Sequence, residues 1–586
     1  MIISSTLRRA VNSLGFALQK KQTATIDLDF IGKFASAVFV GCARNAAQHL
    51  PSVLQNLERW SQLFETTAFV FVENDSTDGT PQVLKRWLAQ QRHGHLLRLD
   101  GLASNVPSRT ARLAVTRNAY LDYVRSSSYA NHHYLVVVDF DDVNAVRICE
   151  SDFAAALDFI ESTDETMGVF SNSAPVYYDV WALRHDEWSP DDCWAALSGS
   201  SEPDSQVNKE RFVYSRQRFL PRDAEPVQVK SAFGGIGVYR LPAALKGRYR
   251  GLTETGAEVC EHVPFNLDVG LKGKLYVFPR LRNAAPKEHL QPDLGFLHTS
   301  RELTLSQGGR TCQLLAPSHH RLEEYRARHR LYDRRLPCLA AIISRHTPDR
   351  FIVDIGANIG DTVALCRLEG CTSTIIAVEP SAEFYWYLAQ NSAAHPQLFK
   401  NTHLVNAFVG RPGSRLTLCE HDGTASSSIS DLAAPGEKLP QVLTLSLQQI
   451  CPEAVSLIKT DTDGFDSEII DSNIEYIQQR LPVLWIEVDS RSTSDEGRWR
   501  DLFVTLAKSH VFACVFDNLG FLIDHGPTMT MTSVIDSLLR YSRRQRESVG
   551  DTVAEPRIYY LDVGLFPLSS ELVYREFLLT VAESAL

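Results

Sequence analysis

Short, almost purely apolar runs alternate with amphipathic stretches in the first part of the chain. Runs of this kind, rich in β-branched residues, are typical of strands that are buried on both faces of a sheet. They lie at 37–40, 68–72, 96–99 and 134–138. The segments between them, such as 81–91 and 109–125, predict helices. Strands that alternate with helices predict a parallel sheet whose functional residues lie at the carboxyl ends of its strands.

The alternation stops and then begins again at Phe351. Residues 180–230 lack periodicity and predict long loops, and the arginine-rich segment His319–Arg335 predicts a solvated helical connector. After this connector, strands are predicted at 351–355, 374–379, 404–409, 455–460 and 483–488, and helices at 360–369 and 381–392. We therefore predict an α/β protein with two Rossmann-like domains. Its predicted parts are an N-terminal extension at 1–30, a first domain at 31–298, a helical linker at 299–345 and a second domain at 346–586.

Composition and charge narrow the class of protein. The 586 residues are 44% hydrophobic and 22% charged, which is ordinary for globular protein and sufficient for two cores. The net charge of −11 argues against nucleic acid as a partner. None of the 11 cysteines forms a CxxC pair, so zinc ribbons and disulfide frameworks are unsupported and the cytoplasm is the predicted location.

The N-terminal segment is the candidate for membrane contact. No apolar run approaches the ~18 residues that a membrane span needs. Leu7, Val11, Leu14 and Leu18 lie on one face of a predicted helix, with basic residues elsewhere. The favoured prediction is a helix that packs on its own domain. The alternative is a helix that lies on an anionic surface, which would place the protein peripherally at the inner face of the membrane.

Three carboxylates follow the predicted strand 134–138. Asp139 and Asp141 flank one residue, and Asp142 adds a third negative charge. At this spacing the first two carboxylates can both face the open end of the strand. A divalent cation held there can neutralise the diphosphate that departs when a glycosyl group is transferred from a nucleotide. The alternative reading is an acidic turn that only ends the strand.

The turns after the first two strands favour the metal site. Glu73-Asn-Asp-Ser-Thr-Asp-Gly-Thr80 follows the second strand, and Gly41-Cys-Ala-Arg-Asn45 follows the first. With the acidic turn and the helix 109–125, they resemble in order the donor site of GT-A glycosyltransferases. The resemblance implies a nucleotide-sugar donor and a metal, Mn²⁺ or Mg²⁺, held by Asp139 and Asp141. It implies donor contacts from Arg44, Asp75, Asp78, Arg112, Arg117 and Asn118.

Later segments resemble the acceptor side of the same fold. Ser231–Gly237 resembles its glycine loop, where the backbone can approach a sugar closely. Tyr177–Arg184 resembles a segment that lines the cleft in mannosyltransferase-like members, although an aromatic edge of the core has the same pattern. The resemblance implies Glu261 as catalytic base and His262 as a further metal ligand, with His289 as the rival ligand.

A second turn, Asp354-Ile-Gly-Ala-Asn-Ile-Gly360, ends a strand and opens a helix. Its glycines let a cofactor approach the backbone, and Glu379 ends the next strand, where a carboxylate binds ribose hydroxyls. An NAD turn has the pattern GxGxxG, but Asn358 replaces the second glycine here. The turn resembles the first motif of S-adenosylmethionine (SAM) methyltransferases. This resemblance implies SAM contacts from Asp354, Gly356, Asn358, Gly360 and Glu379.

A later strand end favours SAM over NAD. Lys459-Thr-Asp-Thr-Asp-Gly464 resembles the Lys-x-Asp-x-x-Gly segment of FkbM-family O-methyltransferases, and the resemblance runs from about 350 to about 488. Methylation of a hydroxyl needs a base, and Asp461 and Lys459 are the catalytic candidates. A purely structural Lys459–Asp461 ion pair is the alternative. The other candidate carboxylates are Asp463, Glu487 and Asp489.

The two resemblances together predict a bifunctional enzyme of surface polysaccharide synthesis. It would transfer a sugar from a nucleotide sugar to a glycan or lipid-linked glycan acceptor, and O-methylate a sugar hydroxyl with SAM. In one alternative only one domain is active and the other is a glycan-binding scaffold. In another, the C-terminal half is an NAD-dependent sugar-modifying oxidoreductase.

Overall fold

The computed structural model describes residues 34–198, 205–291, 296, 299–412, 416–421, 424–429, 442–490, 492–549 and 558–583. The predicted N-terminal helix lies outside these residues. The chain divides into two compact units, Met1–Gly295 and Phe296–Leu586, and each contains an eight-stranded mixed sheet covered by helices. The prediction of two Rossmann-like α/β domains is confirmed. Among the described residues, none of the helices is both long and apolar enough to cross a lipid bilayer.

The first unit is built on eight strands. These are β1 Phe34–Ala43, β2 Phe64–Glu73, β3 Gly94–Arg98, β4 Tyr134–Val138, β5 Thr166–Ala174, β6 Val227–Val229, β7 Ile236–Arg240 and β8 Lys274–Ala284. Its helices are α1 Leu50–Ser61, α2 Thr80–Leu88, α3 Leu102–Asn105, α4 Arg109–Ser126, α5 Glu150–Ser162, α6 Cys193–Ser198, α7 Ser205–Phe212, α8 Leu241–Ala244 and α9 His262–Gly270.

The strand order of the first unit gathers the predicted turns at one edge. The order is β3-β2-β1-β4-β7-β5-β8-β6, and the first four strands are mutually parallel. β7 runs antiparallel to both β4 and β5. The turns after β1, β2 and β4 therefore lie side by side at the carboxyl edge, where open α/β sheets bind their ligands.

Apolar side chains cover both faces of this sheet. On one face Trp60 of α1 stacks on Phe153 of α5, with ring centroids 4.8 Å apart. On the other, Tyr249 stacks on Phe265 of α9 at 4.1 Å. The nearly all-apolar sequence of β4 follows from this double burial, because every one of its five residues is buried.

The second unit contains fourteen named strands among its described residues. They are β9 Ser300–Gln307, β10 Arg310–Pro317, β11 Phe351–Ile355, β12 Ile375–Val378, β13 Thr402–Val405, β14 Phe408–Val409, β15 Leu416–His421, β16 Thr424–Ile429, β17 Thr444–Leu445, β18 Val455–Thr460, β19 Val483–Val488, β20 His510–Asp517, β21 Leu522–Pro527 and β22 Leu561–Pro567. Its helices are α10 Leu322–Arg328, α11 Arg335–His346, α12 Asp361–Glu369, α13 Ala382–Ala394, α14 Leu447–Ile450, α15 Asp466–Ser472, α16 Ile474–Arg480, α17 Thr493–Leu506, α18 Thr528–Val549 and α19 Glu571–Glu583.

The main sheet of the second unit has the order β13-β12-β11-β18-β19-β22-β20-β21. The first five of these strands are parallel, and β22 lies antiparallel between β19 and β20. The turns after β11, β12 and β18 meet at the carboxyl edge. β14 and β17 form a separate parallel pair, so the single strand predicted at 404–409 is divided between two sheets.

Residues 299–345, expected as a helical linker, contain strands as well as helices. β9 and β10 pair as an antiparallel hairpin, in which Leu303, Leu305 and Leu314 are buried. The Arg301 guanidinium donates to the His320 carbonyl, and Arg326 donates to the Ser306 carbonyl. Several arginines of this segment thus bind carbonyls within the second unit, and Arg326 and Arg335 are buried.

Candidate active sites

The first candidate site begins with Asp139, directly after β4. Its backbone N–H donates to the Gly235 carbonyl at 2.9 Å, and its carboxylate accepts a hydrogen bond from Arg117 Nη2 at 2.8 Å. Asn144 Nδ2 donates to the carbonyls of both Asp139 and Gly235 at 2.9 Å. The acidic turn and the predicted acceptor-side glycine loop are therefore joined.

The glycine at 235 is required by this junction. Its φ is +94°, and a Cβ there would lie 2.8 Å from Val143 Cγ1 and 3.0 Å from Asn283 Nδ2. Asn283 itself donates to the Gly234 carbonyl at 2.5 Å. A side chain at 235 would push the loop away from the acidic turn.

Arg117 is a buried connection between two predicted site residues. It is 3% exposed, and Nε donates to Glu261 Oε1 at 2.9 Å while Nη2 binds Asp139. Its guanidinium carbon lies 5.1 Å from the ring centroid of Phe233 and 5.8 Å from that of Tyr249. The structure thus brings Arg117, Asp139 and Glu261 together, with Arg117 enclosed behind the acidic turn.

Glu261 and His262 are both enclosed at the start of α9. Burial raises the pKa of Glu261, and the charge of Arg117 opposes that shift. The His262 ring stacks on Phe233 with centroids 3.7 Å apart, and within the described part of the chain neither ring nitrogen makes a hydrogen bond. Burial and repulsion from Arg117 hold the pKa of His262 well below its ordinary value.

The predicted metal ligands are not gathered into a three-ligand cluster. Among the described residues, no group of three or more His, Cys, Asp or Glu side chains is arranged to hold a metal ion. Asp141 is the exposed member of the acidic turn. Desolvation by the surrounding protein, followed by repulsion from Asp139 and Asp142, raises its pKa to about 8. A divalent cation would relieve that repulsion, so the donor set fits one electrostatically.

The rival histidine packs on Tyr178, a residue on which the charges of Asp141 and Asp139 act. His289 is exposed and stacks on the Tyr178 ring, with centroids 5.7 Å apart and planes 9° apart. Beside it, Asp179 accepts a hydrogen bond from Gly234 N–H at 3.0 Å. Burial raises the pKa values of Tyr178 and Asp179, and the charge of Asp139 raises both further. The sequence predicts no role for Asp179 itself. The only indication in the sequence is the resemblance of the segment 177–184 to one that lines the cleft.

Two predicted donor-binding carboxylates hold the loops at the strand ends. Asp75 accepts hydrogen bonds from Gly101 N–H at 2.5 Å and Ala103 N–H at 2.7 Å. Asp78 accepts from Ala47 N–H at 3.1 Å and Thr80 N–H at 3.0 Å. The Ala103 N–H is the main cause of the lowered pKa of Asp75. The hydrogen bond from the Thr80 side chain is the main cause of the lowered pKa of Asp78, and the N–H groups of Thr80 and Ala47 lower it further.

The remaining predicted donor contacts differ in their exposure. Arg44 is exposed, and its charge acts on Asp75. Arg112 Nη1 donates to the carbonyls of Val106 and Pro107, at 2.7 and 2.5 Å. The Asn118 amide is paired with the backbone of Tyr249, donating to its carbonyl at 2.9 Å and accepting from its N–H at 3.0 Å. Arg112 and Asn118 therefore hold neighbouring backbone in this structure.

The second candidate site is built around Gly356, after β11. Its φ is +76°, and a Cβ there would lie 2.0 Å from the Asp461 carbonyl oxygen. Asn358 also has a positive φ, +47°, and its N–H donates to Glu379 Oε2 at 2.8 Å. Glu379 Oε1 accepts from Ser381 N–H at 2.8 Å, and burial raises the pKa of this carboxyl to about 7. The turns after β11 and β12 are thus held together by one carboxylate.

Lys459 connects the turns after β11 and β18. Its Nζ lies 3.1 Å from Asp354 Oδ1, donates to the Gly356 carbonyl at 2.9 Å, and lies 3.6 Å from Asp461 Oδ2. Asp354 and Lys459 are both buried. Burial raises the pKa of Asp354 to about 6, against the attraction of Lys459. The structure brings Asp354, Gly356, Lys459 and Asp461 together.

These turns open into a cavity of about 530 Å³ within the second unit. The cofactor turn contributes Gly356, Asn358 and Asp361, and the β18 end contributes Lys459, Asp461 and Asp463. The segment before β11 supplies further wall residues, including His320, Tyr325, Tyr332 and Asp333. Tyr559, Tyr560 and Asp562, at and before the start of β22, complete the lining. The expected connector is therefore part of the site.

Asp461 and Glu487 form a carboxyl pair in this cavity. The Asp461 side chain is 49% exposed, while Glu487 is 9% exposed and hydrogen-bonds to it. Burial raises the pKa of Glu487, and the charge of Asp461 raises it further. Two carboxyls in contact share a proton more readily than they both ionise. Asp461 is thus the accessible partner of the predicted Lys459–Asp461 pair.

A nucleoside cofactor fits the residues of the second site. Gly356 and Gly360 have the positive φ that a glycine turn of this kind requires, and Glu379 stands at the end of β12, where the sequence places a ribose-binding carboxylate. The adjoining cavity is of the size that small-molecule sites usually have.

Comparison with known proteins identifies a methyltransferase domain in the second unit. Residues 354–521 match the model of the methyltransferase FkbM domain, and this confirms the predicted FkbM resemblance. The matched segment contains the cofactor turn and the Lys459–Asp461 pair. No curated protein sequence matches this chain.

Solved structures similar to part of this chain include glycosyltransferases. A mannosyltransferase from Pyrobaculum calidifontis, solved with GDP-Man and Mn²⁺, is 13% identical, covers 48% of this chain and 67% of its own, and has a TM-score of 0.25. TarS 1-349 from S. aureus, solved with UDP-GlcNAc, is 15% identical with coverages of 44% and 60% and a TM-score of 0.26. Glucosyl-3-phosphoglycerate synthase from M. tuberculosis is 12% identical with coverages of 45% and 77% and a TM-score of 0.24.

Proposed function

We propose that this protein is a bifunctional enzyme. The first unit transfers a sugar from a nucleotide-sugar donor to a glycan acceptor with the help of a divalent cation. The second unit O-methylates a sugar hydroxyl with SAM. The main support is that the cofactor turn and the Lys459–Asp461 pair line one cavity, and that both lie in the segment that matches a methyltransferase domain.

For sugar transfer, we assign the metal to the acidic turn. A bound divalent cation would neutralise the departing diphosphate. Asp141 offers an exposed carboxylate, and Arg117 fixes the Asp139 carboxylate at 2.8 Å. Of the two candidate histidines, His289 is exposed, whereas His262 is buried and stacked on Phe233. We therefore favour His289 as the further ligand.

Two carboxylates are candidates for the base that accepts the proton of the acceptor hydroxyl. Burial raises the pKa of Glu261, but this carboxylate is 3% exposed and held by Arg117 at 2.9 Å, so it is closed to an acceptor. Asp179 is half-buried beside the glycine loop and its pKa is raised by burial. A base works best when its pKa approaches the working pH. We propose Asp179 as the base and Glu261 as the residue that positions Arg117.

For methyl transfer, the roles follow from the strand ends. SAM supplies an electrophilic methyl group. Glu379 and the turn at Gly356 would hold its nucleoside, while Lys459 keeps Asp354 and the Gly356 carbonyl in place. Asp461 is exposed to the cavity and would accept the proton of the attacking hydroxyl.

The two activities suit one pathway, the synthesis of a methylated surface polysaccharide in the cytoplasm. The acceptor would then be a glycan or a lipid-linked glycan, and the N-terminal segment offers a peripheral membrane contact. A second candidate is a first unit that acts only as a glycan-binding scaffold. The observation that favours it is that two predicted donor contacts, Arg112 and Asn118, already bind neighbouring backbone.

Calorimetry on the full-length chain tests both halves. We expect one of UDP, GDP and CDP to bind with Mn²⁺, and chelation or Asp141→Asn to abolish binding. Asp223→Asn, an exposed aspartate outside the acidic turn, serves as the matched control and should change nothing. Failure of all three nucleotides to bind would leave the scaffold reading for the first unit. If the chain binds NAD and does not bind S-adenosylhomocysteine, the methyltransferase assignment of the second unit is refuted.

A further inference from the structure

The cavity of the second unit carries more negative than positive side chains. Six carboxylates line it, against three cationic side chains, Arg321, Arg335 and Lys459. The carboxylates are Asp333, Asp361, Asp461, Asp463, Glu487 and Asp562. The excess is notable for a site that must admit a cofactor with its own carboxylate.

The cations do little to offset this excess. Lys459 lies closer to the buried Asp354, at 3.1 Å, than to Asp461, at 3.6 Å, so most of its charge is matched by a carboxylate outside the lining. Arg335 is buried and donates to the Gly520 carbonyl at 3.0 Å. Arg321 is exposed and 3.7 Å from Glu324.

The carboxylates also act on one another. Desolvation, then repulsion from Asp361 and Asp461, raises the pKa of Asp333 to about 7. Desolvation, then repulsion from Asp333 and Asp461, raises the pKa of Asp562 well above its ordinary value. The raised pKa values mean that Asp333 and Asp562 are themselves less ionised. Asp461 contributes to both shifts and is half-exposed, so it is central to the acidity of the cavity.

SAM and S-adenosylhomocysteine differ in the charge that such a cavity recognises. SAM carries a sulfonium, whereas the product carries a neutral thioether, and the rest of the molecule is the same. During transfer the bond from carbon to sulfur breaks with its electron pair left on sulfur. In the same step the methyl carbon bonds to the acceptor oxygen, and the hydroxyl proton passes to a carboxylate or to water. The cofactor therefore loses its positive charge in the reaction.

We propose that the carboxylates of this cavity, foremost Asp461 and Asp463, serve as counter-charge to the sulfonium and make the enzyme bind SAM more tightly than S-adenosylhomocysteine. This inference rests on the proposed methyltransferase function. Product release then follows from the loss of charge, and the enzyme resists inhibition by its own product. The same potential disfavours acceptors with a carboxylate or phosphate next to the methylated hydroxyl.

Calorimetric titration of the full-length chain with SAM, S-adenosylhomocysteine and sinefungin tests the proposal. Sinefungin has an amine in place of the sulfonium methyl, so it is cationic and cannot transfer a methyl group. We expect SAM and sinefungin to bind about tenfold more tightly than S-adenosylhomocysteine, which corresponds to about 1.4 kcal/mol. The preference should shrink as salt rises.

Variants separate charge from folding. Asp461→Asn should bring the three affinities within about threefold, and so should Asp463→Asn, whose φ of +52° suits asparagine. Glu475→Gln, an exposed residue of α16 outside the cavity, should keep the tenfold preference. Equal or tighter binding of S-adenosylhomocysteine by the wild type, or an unchanged ratio in both aspartate variants, would overturn the proposal. Absence of binding by all three ligands would instead refute the proposed function.

Discussion

Replacement of Gly356 by alanine is the sharpest test of the cofactor turn. The residue has φ +76°, and an added Cβ would lie 2.0 Å from the Asp461 carbonyl oxygen, which is backbone and cannot rotate away. A non-glycine residue in this conformation costs about 1 kcal/mol. Displacing the turn after β18 to relieve the contact costs roughly 1–3 kcal/mol more. We expect the second unit to lose about 3 kcal/mol in its free energy of unfolding.

Differential scanning calorimetry measures this change unit by unit. A loss of about 3 kcal/mol lowers the melting temperature of a domain of this size by roughly 6–12 °C. The transition of the second unit is the one that S-adenosylhomocysteine shifts upward. We expect Gly356→Ala to lower that transition, to leave the other unchanged, and to abolish the shift by S-adenosylhomocysteine.

Gly497→Ala is the matched control. Gly497 lies inside α17, and no heavy atom stands within 4 Å of the position of its added Cβ. Alanine in a helix interior should raise stability by about 0.5–1 kcal/mol. If Gly356→Ala melts like the wild type and still responds to S-adenosylhomocysteine, the close approach of the two turns is wrong.

Arg117→Met leaves Asp139 and Glu261 without their buried partner, and it should destabilise the first unit by about 3–5 kcal/mol in calorimetry. Arg44→Met, at an exposed site, should leave the stability unchanged. Equal melting temperatures of the two variants would refute the buried role of Arg117. Glu379→Gln places an amide N–H against the backbone N–H of Asn358 or Ser381. Calorimetric titration should show S-adenosylhomocysteine binding that is at least tenfold weaker. An unchanged affinity would mean that Glu379 does not contribute to the cofactor site. Burial lowers the pKa of His510 to about 4, so the unfolded chain takes up a proton at this residue before the folded protein does, and about 3 kcal/mol of stability is lost as pH falls from 6.5 towards 4. His510→Gln should therefore reduce the fall in melting temperature between pH 7 and pH 5. An identical fall in the variant would contradict the assignment.

The sequence alone was sufficient where a segment is buried on both faces. The predicted strands 134–138, 351–355, 455–460 and 483–488 coincide with β4, β11, β18 and β19. Each of these strands is almost wholly buried, so apolar residues predominate in it, and the charged residues Asp354, Lys459 and Glu487 stand near the carboxyl ends of β11, β18 and β19. The same logic located the acidic turn and the cofactor turn, since functional side chains follow such strands.

The tertiary structure decided which distant residues meet. Arg117 contacts Asp139, 22 positions away, and Glu261, 144 positions away, and nothing in the local pattern distinguishes that role from a contact with the donor. The segment with Tyr332 lines the cavity with Tyr560, although its arginine-rich composition resembled a solvated connector. Periodicity reports whether a residue faces a core, because it depends on neighbours within a few positions. Contacts such as those of Arg117 and Tyr332 depend on strand order and on the packing of segments that are far apart in sequence. They form only when the chain is folded.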